Sequence, residues 1–323
     1  VTGATGFIGR HLTDFLLAGG HDVICPVREP ERLRHFEPTR IKITTFEKLD
    51  YQINRGNQID YVFHLAGATR SLDYAGYYRA NVELTKNLLE LVLRKVDREN
   101  FKRFVFVSSQ AVNGPARDSS SCVTEYDDPN PVSLYGYSKL EAELIVRDYG
   151  SYLPYVIVRP STVFGPGDKD VFGVFKSCKY HIAPCLAGKN RKISVVFVED
   201  LVEGIVSAAL SESSLGKTYF ITNPEPVIWR DFVQEIAHVM DVRVLIMPVP
   251  KFVLRPFGIL SDIIGRLSGK PSLFRTEKID EMDQWYWICS SEQAHRDLGW
   301  IPRNTIDEAL TKTYRWYINN GWL

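Results

Sequence analysis

The first nine residues constrain the fold of this chain more than any other stretch. They read Val-Thr-Gly-Ala-Thr-Gly-Phe-Ile-Gly and predict the end of a buried strand, a glycine-rich turn and a helix over 10–18. Gly3 permits a sharp turn where a Cβ would clash, Gly6 lets a ligand approach the backbone, and Gly9 lets the helix pack tightly on the strand. The start of that helix then offers N–H groups and a positive dipole end to a pyrophosphate.

The glycine spacing leaves an alternative open, because Gly-x-x-Gly-x-x-Gly differs from the commoner Gly-x-Gly-x-x-Gly dinucleotide fingerprint. An ordinary turn between a strand and a helix could carry the same glycines. The next stretch, 22–27, is short and apolar and predicts a second strand. A strand, a helix and a strand in this order form a βαβ unit, which implies a parallel sheet.

The residues after this second strand bear on which cofactor the chain binds. A dinucleotide fold often places an acidic residue there to hold the ribose 2′-hydroxyl. This chain instead has Arg28, followed by Arg32. An arginine suits a 2′-phosphate, so the sequence favours NADP, with NAD as the alternative. The other interpretation is a solvated basic loop, since Glu29 and Glu31 dilute the charge.

Composition limits the class of protein. The 323 residues are 45% hydrophobic and 24% charged, as in a soluble globular protein of one large or two modest domains. Basic and acidic residues number 39 each, which argues against a nucleic-acid binder. The five cysteines lack metal-binding spacing, so we expect no metal site and reduced thiols in a cytoplasmic protein. No window is apolar enough to predict a membrane span, and we expect a few native residues before Val1 because the chain begins inside a strand.

Later segments continue the α/β pattern and predict a doubly wound parallel sheet (Rossmann) with a smaller C-terminal substrate-binding α/β domain. We expect 1–165 to form the dinucleotide-binding domain, with 193–222 returning to its sheet, and most of 166–323 to bind substrate. His64, inside one predicted strand, is expected to pack in the core. The predicted strands cover 41–45, 60–66, 104–109, 155–159, 193–198 and 217–221, and the predicted helices cover 80–96, 202–210 and 229–240.

One set of side chains carries an acid-base pattern. Ser109 ends a buried strand, and Tyr135 and Lys139 lie four apart, on one face of the following helix. A tyrosine pKa near 10 is too high for efficient proton transfer, and a lysine ammonium nearby lowers it. The serine can bind a substrate oxygen while a nicotinamide exchanges hydride with the adjacent carbon. Tyr-x-x-x-Lys alone is a weak signal, and the glycine turn and the Ser-Ser strand end make it specific.

With these motifs in place, the chain resembles the extended short-chain dehydrogenase/reductase family, also called the NAD-dependent epimerase/dehydratase family. The resemblance implies that Tyr135 is the catalytic acid/base and that Lys139 tunes it and holds the nicotinamide ribose. It also implies that Ser109 fixes the substrate oxygen and that Asn81 supports the lysine through water. The matching stretches are 2–9, 64–67, 81–82, 108–112, 135–139, 159–160, 163–168 and 198–201, and 298–302 and 316–323 look like the ends of such proteins.

The resemblance also implies a cofactor site and an assembly. In addition to Arg28 and Arg32, discussed above, the expected cofactor site contains Tyr135 and Lys139. The resemblance also places there the residues of the glycine turn and of two later strand ends. Family members often pair as homodimers through a four-helix bundle that includes the Tyr135–Lys139 helix. The expected contacts to pyrophosphate and nicotinamide are Gly3, Gly6, Phe7, Ile8, Gly9, Leu65, Ala66, Gly67, Pro160 and Val163.

Departures from the family pattern guide the functional hypothesis. Asn113 stands where members often have tyrosine, and the run from Arg159 to Thr162 is closer to reductases, including dihydroflavonol reductases, and to 3β-hydroxysteroid-dehydrogenase-like members. We therefore expect an NAD(P)-dependent oxidoreductase acting on a carbonyl or secondary alcohol, a small-molecule substrate. One alternative is a nucleotide-sugar epimerase or dehydratase that retains NAD. A more remote alternative is a dinucleotide-binding regulatory protein without catalysis.

The segment 244–267 is apolar but interrupted by prolines. Val253, Phe257, Leu260, Ile264 and Leu267 fall on one helical face. This face predicts either a lid over an apolar substrate pocket or core packing in the smaller domain. The 3β-hydroxysteroid-dehydrogenase-like relatives associate with membranes, which adds a membrane-surface role. The prolines and a weak basic face argue against that third interpretation.

Overall fold

The structure is a computed structural model that describes residues 1–33, 40–53, 58–188, 190–269 and 276–323. Its α-helices span Phe7–Ala18, Phe46–Ile53, Tyr74–Tyr77, Leu84–Lys95, Leu134–Asp148, Phe172–Lys179, Val198–Leu210, Trp229–Val239, Lys251–Ser268, Thr276–Asp283, Glu292–Leu298 and Ile306–Asn319. Its strands span Val23–Pro26, Ile41–Thr44, Tyr61–His64, Arg103–Val107, Tyr155–Pro160, Thr162–Phe164, Ile182–Leu186, Lys192–Ile193, Val195–Phe197, Thr218–Ile221, Val227–Ile228, Leu245–Val249 and Tyr286–Trp287.

The central sheet is parallel. Four strands lie side by side in the order Thr218–Ile221, Tyr155–Pro160, Arg103–Val107 and Tyr61–His64, and every pair is parallel. Parallel neighbours need crossovers, and the intervening helices supply them. The strand Thr218–Ile221 comes from late in the chain, so the second half contributes to the same sheet.

The first two residues extend this sheet toward the N-terminal strands. Thr2 bridges His64 in parallel, and the amino group of Val1 donates to the carbonyl of Ile24, 2.8 Å away. The strand Val23–Pro26 pairs in turn with Ile41–Thr44. The glycine turn therefore leaves from the middle of a doubly wound parallel arrangement, which confirms the predicted fold class.

Both faces of the sheet are covered because its buried strands are apolar on both sides. Along Arg103–Val107, the valines and phenylalanines alternate in the two faces. One face packs on Phe7–Ala18 and Val198–Leu210, and the other on Leu84–Lys95 and Leu134–Asp148. Leu88 and Leu89 lie in this second core, so the apolar face of the helix Leu84–Lys95 packs on the sheet.

The second half of the chain forms its own core. Phe164, Phe175, Phe232 and Tyr317 are buried together there with neighbouring aliphatic side chains. The strand predicted over 193–198 is divided: Lys192–Ile193 joins a small three-stranded sheet, whereas Val195–Phe197 pairs with Thr162–Phe164. These small sheets surround the carboxyl end of Tyr155–Pro160 and so border the same edge as the glycine turn.

The segment 244–267 forms a strand, Leu245–Val249, and then the helix Lys251–Ser268, which continues through Pro256. Core packing is the wrong interpretation of its apolar face, because Phe257 is 60% exposed and Leu267 is 84% exposed. Only Gly258 and Gly265 are buried in this helix. Within the described ranges, no helix is long and apolar enough to cross a membrane.

Candidate active site

The glycine turn is closed by backbone packing. Gly3 has a φ of +76°, and a Cβ there would lie 2.7 Å from the amide nitrogen of Ala66. A Cβ on Gly9 would lie 2.1 Å from the carbonyl oxygen of Gly3. Real Cβ atoms do not approach so closely, so both positions require glycine for the fold itself.

The start of the first helix fits an anionic group. Its N-cap is the exposed residue Gly6, and no side chain caps the helix. The amide of Arg10 is the first to bond back, to the carbonyl of Gly6 at 3.0 Å. The amides of Phe7, Ile8 and Gly9 thus point out of the helix beside a small, accessible backbone, as a pyrophosphate requires.

Small and apolar residues line the strand ends next to this turn. The amide of Ala66 donates to the hydroxyl of Thr2, 3.1 Å away, and a Cβ on Gly67 would meet the Asn81 side chain at 2.7 Å. Pro160 is buried at the end of its strand and Val163 is half-buried in the next. Leu65, Ala66, Gly67 and Pro160 lie at carboxyl strand ends of the central sheet, where open α/β folds bind ligands, and Val163 lies in the short strand that follows Pro160.

Ser109 and Tyr135 are brought together by the fold. Ser109 caps the short helix Gln110–Val112 and accepts from the amide of Ala111 at 3.1 Å. Tyr135 lies in the first turn of the helix Leu134–Asp148, close enough to Ser109 for the serine hydroxyl to lower the pKa of the phenol. The pair joins one strand end to the start of one helix, so a substrate oxygen can meet both hydroxyls.

Lys139 lies beneath this pair and is almost completely buried. Its ammonium donates to the carbonyl of Val107, 2.8 Å away, and stands 4.1 Å from the centre of the Phe106 ring. Burial lowers the pKa of Lys139 to about 7, against the charge of Glu143, which raises it. The lysine is therefore poised between its charged and neutral forms near neutral pH.

The expected effect of Lys139 on Tyr135 is not met in this structure. Burial raises the pKa of Tyr135 to about 12, while the Ser109 hydroxyl lowers it and the charge of Glu281 raises it further. Desolvation outweighs the other contributions because a phenolate at this half-buried position would lose water. The sequence places the two residues on one helical face, but it cannot reveal that burial dominates.

Asn81 occupies a π-helical turn, Tyr78–Glu83, which interrupts the helix predicted over 80–96 and precedes Leu84–Lys95. Its side-chain amide donates to Ser138 at 2.8 Å and to the carbonyl of Ala68 at 3.0 Å. Ser138 in turn donates to the carbonyl of Tyr135 at 2.7 Å. Asn81 thus contacts Ser138, the residue next to Lys139. The side-chain oxygen of Asn81 accepts a hydrogen bond from the amide of Ala68 at 2.7 Å.

His64 is fully buried, in agreement with the prediction of a core histidine. Its Nδ1 lies 2.7 Å from the hydroxyl of Thr2 and its Nε2 lies 2.8 Å from that of Thr85. Burial lowers its pKa to about 3, so the ring is neutral at neutral pH. Because Thr85 also bonds the backbone of Asn81, the histidine connects the glycine turn to the π-helical turn.

A buried ion pair behind the site was missed by the sequence analysis. The Arg159 guanidinium donates to both carboxylate oxygens of Glu143, at 2.9 and 2.6 Å, and to the side-chain oxygen of Asn113 at 2.6 Å. The Asn113 amide then donates to the carbonyl of Asp127 at 3.0 Å. The sequence offered one signal for this network: Asn113 stands where family members often have tyrosine, and its side-chain amide can bond Arg159.

A helix from the second half of the chain, Thr276–Asp283, contacts the helix that carries Tyr135. Glu277, in Thr276–Asp283, accepts a hydrogen bond from the amide of Leu134 at 2.8 Å. Four residues later, the charge of Glu281 acts on Tyr135. The helix Thr276–Asp283 therefore contacts the start of the helix Leu134–Asp148, whereas the apolar face of the neighbouring helix Lys251–Ser268 remains exposed.

Arg28 is exposed and lies two residues after the end of the strand Val23–Pro26. The side chain of Arg32 lies outside the described residues. Across the parts of the chain that the structure describes, no group of three or more His, Cys, Asp or Glu side chains is arranged to hold a metal ion.

The fold and these residues define an enzyme of the dinucleotide-binding α/β class, with a glycine cradle, a serine after one strand and a tyrosine at the start of the following helix. A model of the NAD dependent epimerase/dehydratase family matches residues 1–221. The chain belongs to this family and is an NAD(P)-dependent enzyme. This agrees with the resemblance noted in the sequence.

Curated relatives cover nearly the whole chain. "Ceramide reductase" of Caulobacter vibrioides is 26% identical over 330 residues, covering 100% of this chain and 95% of the relative. "UDP-glucose 4-epimerase" of Vibrio cholerae is 28% identical, covering 97% and 93%. A "3 beta-hydroxysteroid dehydrogenase/Delta 5-->4-isomerase" of Mycobacterium tuberculosis is 26% identical, covering 99% and 90%. The relatives thus include oxidoreductases and an epimerase.

Solved structures agree on the fold. The dTDP-glucose 4,6-dehydratase of Bacillus anthracis, in complex with NAD, superposes with a TM-score of 0.76 at 20% identity, covering 99% of this chain and 96% of that one. At this identity the similarity supports the fold alone.

Proposed function

We propose that this enzyme is an NADP-preferring oxidoreductase that interconverts a carbonyl and a secondary alcohol on an uncharged, largely apolar small molecule. The observation that carries the proposal is the proximity of the Ser109 and Tyr135 hydroxyls, which the fold brings together where one strand of the central sheet ends. Acid-base chemistry on one oxygen needs two hydroxyls that converge on it.

In the reductive direction, Tyr135 donates its phenolic proton to the carbonyl oxygen, and Ser109 donates a hydrogen bond to the same oxygen. The bound nicotinamide supplies hydride to the carbon. The buried Lys139, whose ammonium donates to the Val107 carbonyl at 2.8 Å, lies one helical turn after Tyr135 and supports the nicotinamide ribose. Asn81 holds this helix through Ser138, which keeps the tyrosine in position.

The cofactor assignments are proposals as well. The glycine cradle and the free amides at the helix start support pyrophosphate binding by Gly3, Gly6, Phe7, Ile8 and Gly9. The strand-end residues Leu65, Ala66, Gly67, Pro160 and Val163 border the nicotinamide, and Tyr135 and Lys139 hold its ribose. Arg28, with Arg32, contacts the 2′-phosphate of NADP.

Charge pairing around the site favours an uncharged substrate. Arg70 follows the strand Tyr61–His64 in the chain and forms an ion pair with Asp170. Arg191 binds Asp283 at 3.1 Å, and Lys251 binds the same carboxylate at 2.9 Å. A nucleotide diphosphate needs basic partners, and these side chains are already paired. The similarity to proteins named ceramide reductase and 3 beta-hydroxysteroid dehydrogenase also supports an apolar substrate.

A nucleotide-sugar epimerase or dehydratase with retained NAD is the second candidate, supported by the similarity to UDP-glucose 4-epimerase. The nucleotide released from freshly purified, denatured protein distinguishes the two. Retained NAD supports the epimerase candidate. A protein free of nucleotide that binds NADPH reversibly supports the reductase.

We also propose a division of labour and an assembly. Residues 1–165, with Thr218–Ile221, bind the cofactor, and most of 166–323 shape the substrate side. The exposed apolar side chains Tyr137 and Leu144, on the helix Leu134–Asp148, support a homodimer through that helix. Sedimentation of wild type and Leu144→Glu tests this assembly, and a monomeric wild type would contradict it.

Replacing Tyr135 with phenylalanine tests the proposed acid/base. We expect kcat to fall at least ~100-fold, because the proton donor is lost while the ring still fills its place. NADPH affinity, measured by fluorescence titration, should change little. Tyr137→Phe is the matched control, since Tyr137 is exposed on the same helix. Substantial turnover by Tyr135→Phe would remove Tyr135 from this role.

Replacing Arg28 with alanine tests the NADP preference. We expect the Kd for NADPH to rise by roughly tenfold or more, because a charge-assisted contact to the 2′-phosphate is lost. The Kd for NADH should stay nearly constant. Arg315→Ala, another exposed arginine, serves as the control. Equal losses for both cofactors would mean that Arg28 is only a solvated loop charge.

A further inference from the structure

The helix Lys251–Ser268 is held to the protein along a narrow seam. Its buried residues are Gly258 and Gly265, and a Cβ on Gly258 would meet the Ile279 side chain at 2.6 Å. At 100° per residue, these glycines lie on one side of the helix. The opposite side therefore has no neighbour in the described structure to cover it.

That opposite side is strongly apolar. Large side chains occupy an arc of about 160° there, far wider than scattered surface leucines would give. Phe252 is 74% exposed and Leu267 is 84% exposed. The main exposed residues of this apolar face are Phe252, Phe257, Leu260, Ile263, Ile264 and Leu267.

The polar side chains on the packed side of the helix form ion pairs and hydrogen bonds with the neighbouring helix Thr276–Asp283. Lys251 pairs with Asp280 and Asp283, each at 2.9 Å. Asp262 accepts from the amide of Thr276 at 3.2 Å. These contacts fix the rotation of the helix, so the apolar face is directed outward by specific bonds.

The charge of the segment indicates its partner. In the sequence, residues 245–275 hold one acidic residue, Asp262, whereas the whole chain has a net charge of zero. Arg255 and Arg266 are exposed on one flank of the apolar face. The basic residues of this segment are Lys251, Arg255, Arg266, Lys270 and Arg275.

We propose that this face docks on an anionic lipid bilayer, with the helix lying parallel to the surface. The apolar side chains enter the boundary between headgroups and acyl chains, and Arg255 and Arg266 contact lipid phosphates. A second copy of the chain is the less suitable occupant, because a symmetric contact would bring the arginines of both copies into one interface.

Docking places the active site at the bilayer surface. The neighbouring helix Thr276–Asp283 packs on Gly258. It also contacts the start of the helix Leu134–Asp148, which carries Tyr135, because Glu277 accepts a hydrogen bond from the amide of Leu134. The proposal does not depend on the reaction that Tyr135 performs. It concerns a surface that remains whether the substrate is apolar or a nucleotide sugar.

Co-sedimentation of the full chain with vesicles tests the proposal. We expect binding to vesicles of equal parts phosphatidylcholine and phosphatidylglycerol, and weaker binding to phosphatidylcholine alone. The variant Phe257→Ser/Leu260→Ser/Leu267→Ser should bind the anionic vesicles on the order of a hundredfold more weakly. Arg255→Gln/Arg266→Gln should lose roughly tenfold on anionic vesicles and little on neutral ones.

Leu210→Ser is the matched control, because Leu210 is 59% exposed at the end of another helix. Unchanged thermal unfolding and NADPH binding show that each variant is folded. The proposal is overturned if the wild type does not bind anionic vesicles, or if the control loses as much as the triple variant. A wild-type dimer that the triple variant dissociates, without vesicle binding, would assign the face to a second copy instead.

Discussion

The glycine turn and the helix Lys251–Ser268 both depend on glycine, with opposite results. In the turn, Gly3 and Gly9 bring backbone against backbone, and a Cβ on either would overlap main-chain atoms. In the helix, Gly258 admits one neighbouring helix along a seam, and the large side chains around it are exposed. Close packing on every side fixes a site, whereas packing along one seam leaves a surface for a partner.

The largest overall effect is expected at Gly9, because one substitution there should affect both stability and dinucleotide binding. Gly9→Ala should lower the free energy of unfolding by roughly 3 kcal/mol, because its Cβ would lie 2.1 Å from the Gly3 carbonyl oxygen. Dinucleotide binding should be lost with it. Gly173→Ala is the matched control: that glycine also lies in a helix, but no atom stands within 4 Å of its added Cβ. Chemical denaturation measures the free energy of unfolding of both variants. An equal loss in Gly9→Ala and Gly173→Ala would contradict the idea that backbone contact at Gly9 fixes the turn.

The next largest effect concerns the buried Lys139. Its folded pKa of about 7 lies below its ordinary value of 10.5, so the unfolded chain binds more protons between these two pH values. The burial penalty on the ammonium is therefore complete below pH ~7 and disappears as the pH rises toward ~10. Lys139→Met removes this penalty and should be more stable than wild type by ~2–4 kcal/mol at neutral pH.

This advantage should shrink as the pH is raised, since wild type then carries a neutral lysine as well. Denaturation of both proteins across the range measures the difference. A constant difference between wild type and Lys139→Met from pH ~7 to ~10 would mean that the lysine keeps its ordinary pKa in the folded protein.

The smallest effect is expected on the exposed helix face. Leu260→Ala should change the free energy of unfolding by less than ~0.5 kcal/mol, because Leu260 is 54% exposed. Leu88→Ala, at a leucine that is 4% exposed in a sheet-facing helix, should cost ~2–5 kcal/mol. Thermal or chemical unfolding compares them, and a large loss for Leu260 would restore the core interpretation.

Much of the first half could be predicted from the sequence because its signals are local. The glycine turn follows from three glycines at fixed spacing, and the parallel strands follow from short apolar runs between helices. Ser109 at a strand end and Tyr135 on the next helix were found for the same reason. Sequence adjacency to a strand end already implies position at one edge of the sheet.

The rest could not be predicted because it depends on residues far apart in the chain. Glu143, Arg159 and Asn113 meet only after three segments have packed, and the π-helical turn around Asn81 interrupts a periodic pattern that predicts an ordinary helix. A periodic pattern shows which side chains share a face, but not whether that face is covered.

The fold class, the family and the positions of Ser109, Tyr135 and Lys139 relative to the sheet were predictable from the sequence alone, since each depends on short-range spacing. The tertiary structure decided the electrostatics and the surface. Burial raises the pKa of Tyr135 to about 12 and lowers that of Lys139 to about 7, against the simple expectation from their pairing. The same apolar periodicity is buried around Leu88 and exposed around Leu260. Desolvation depends on every neighbour in space, and only the folded chain supplies those neighbours.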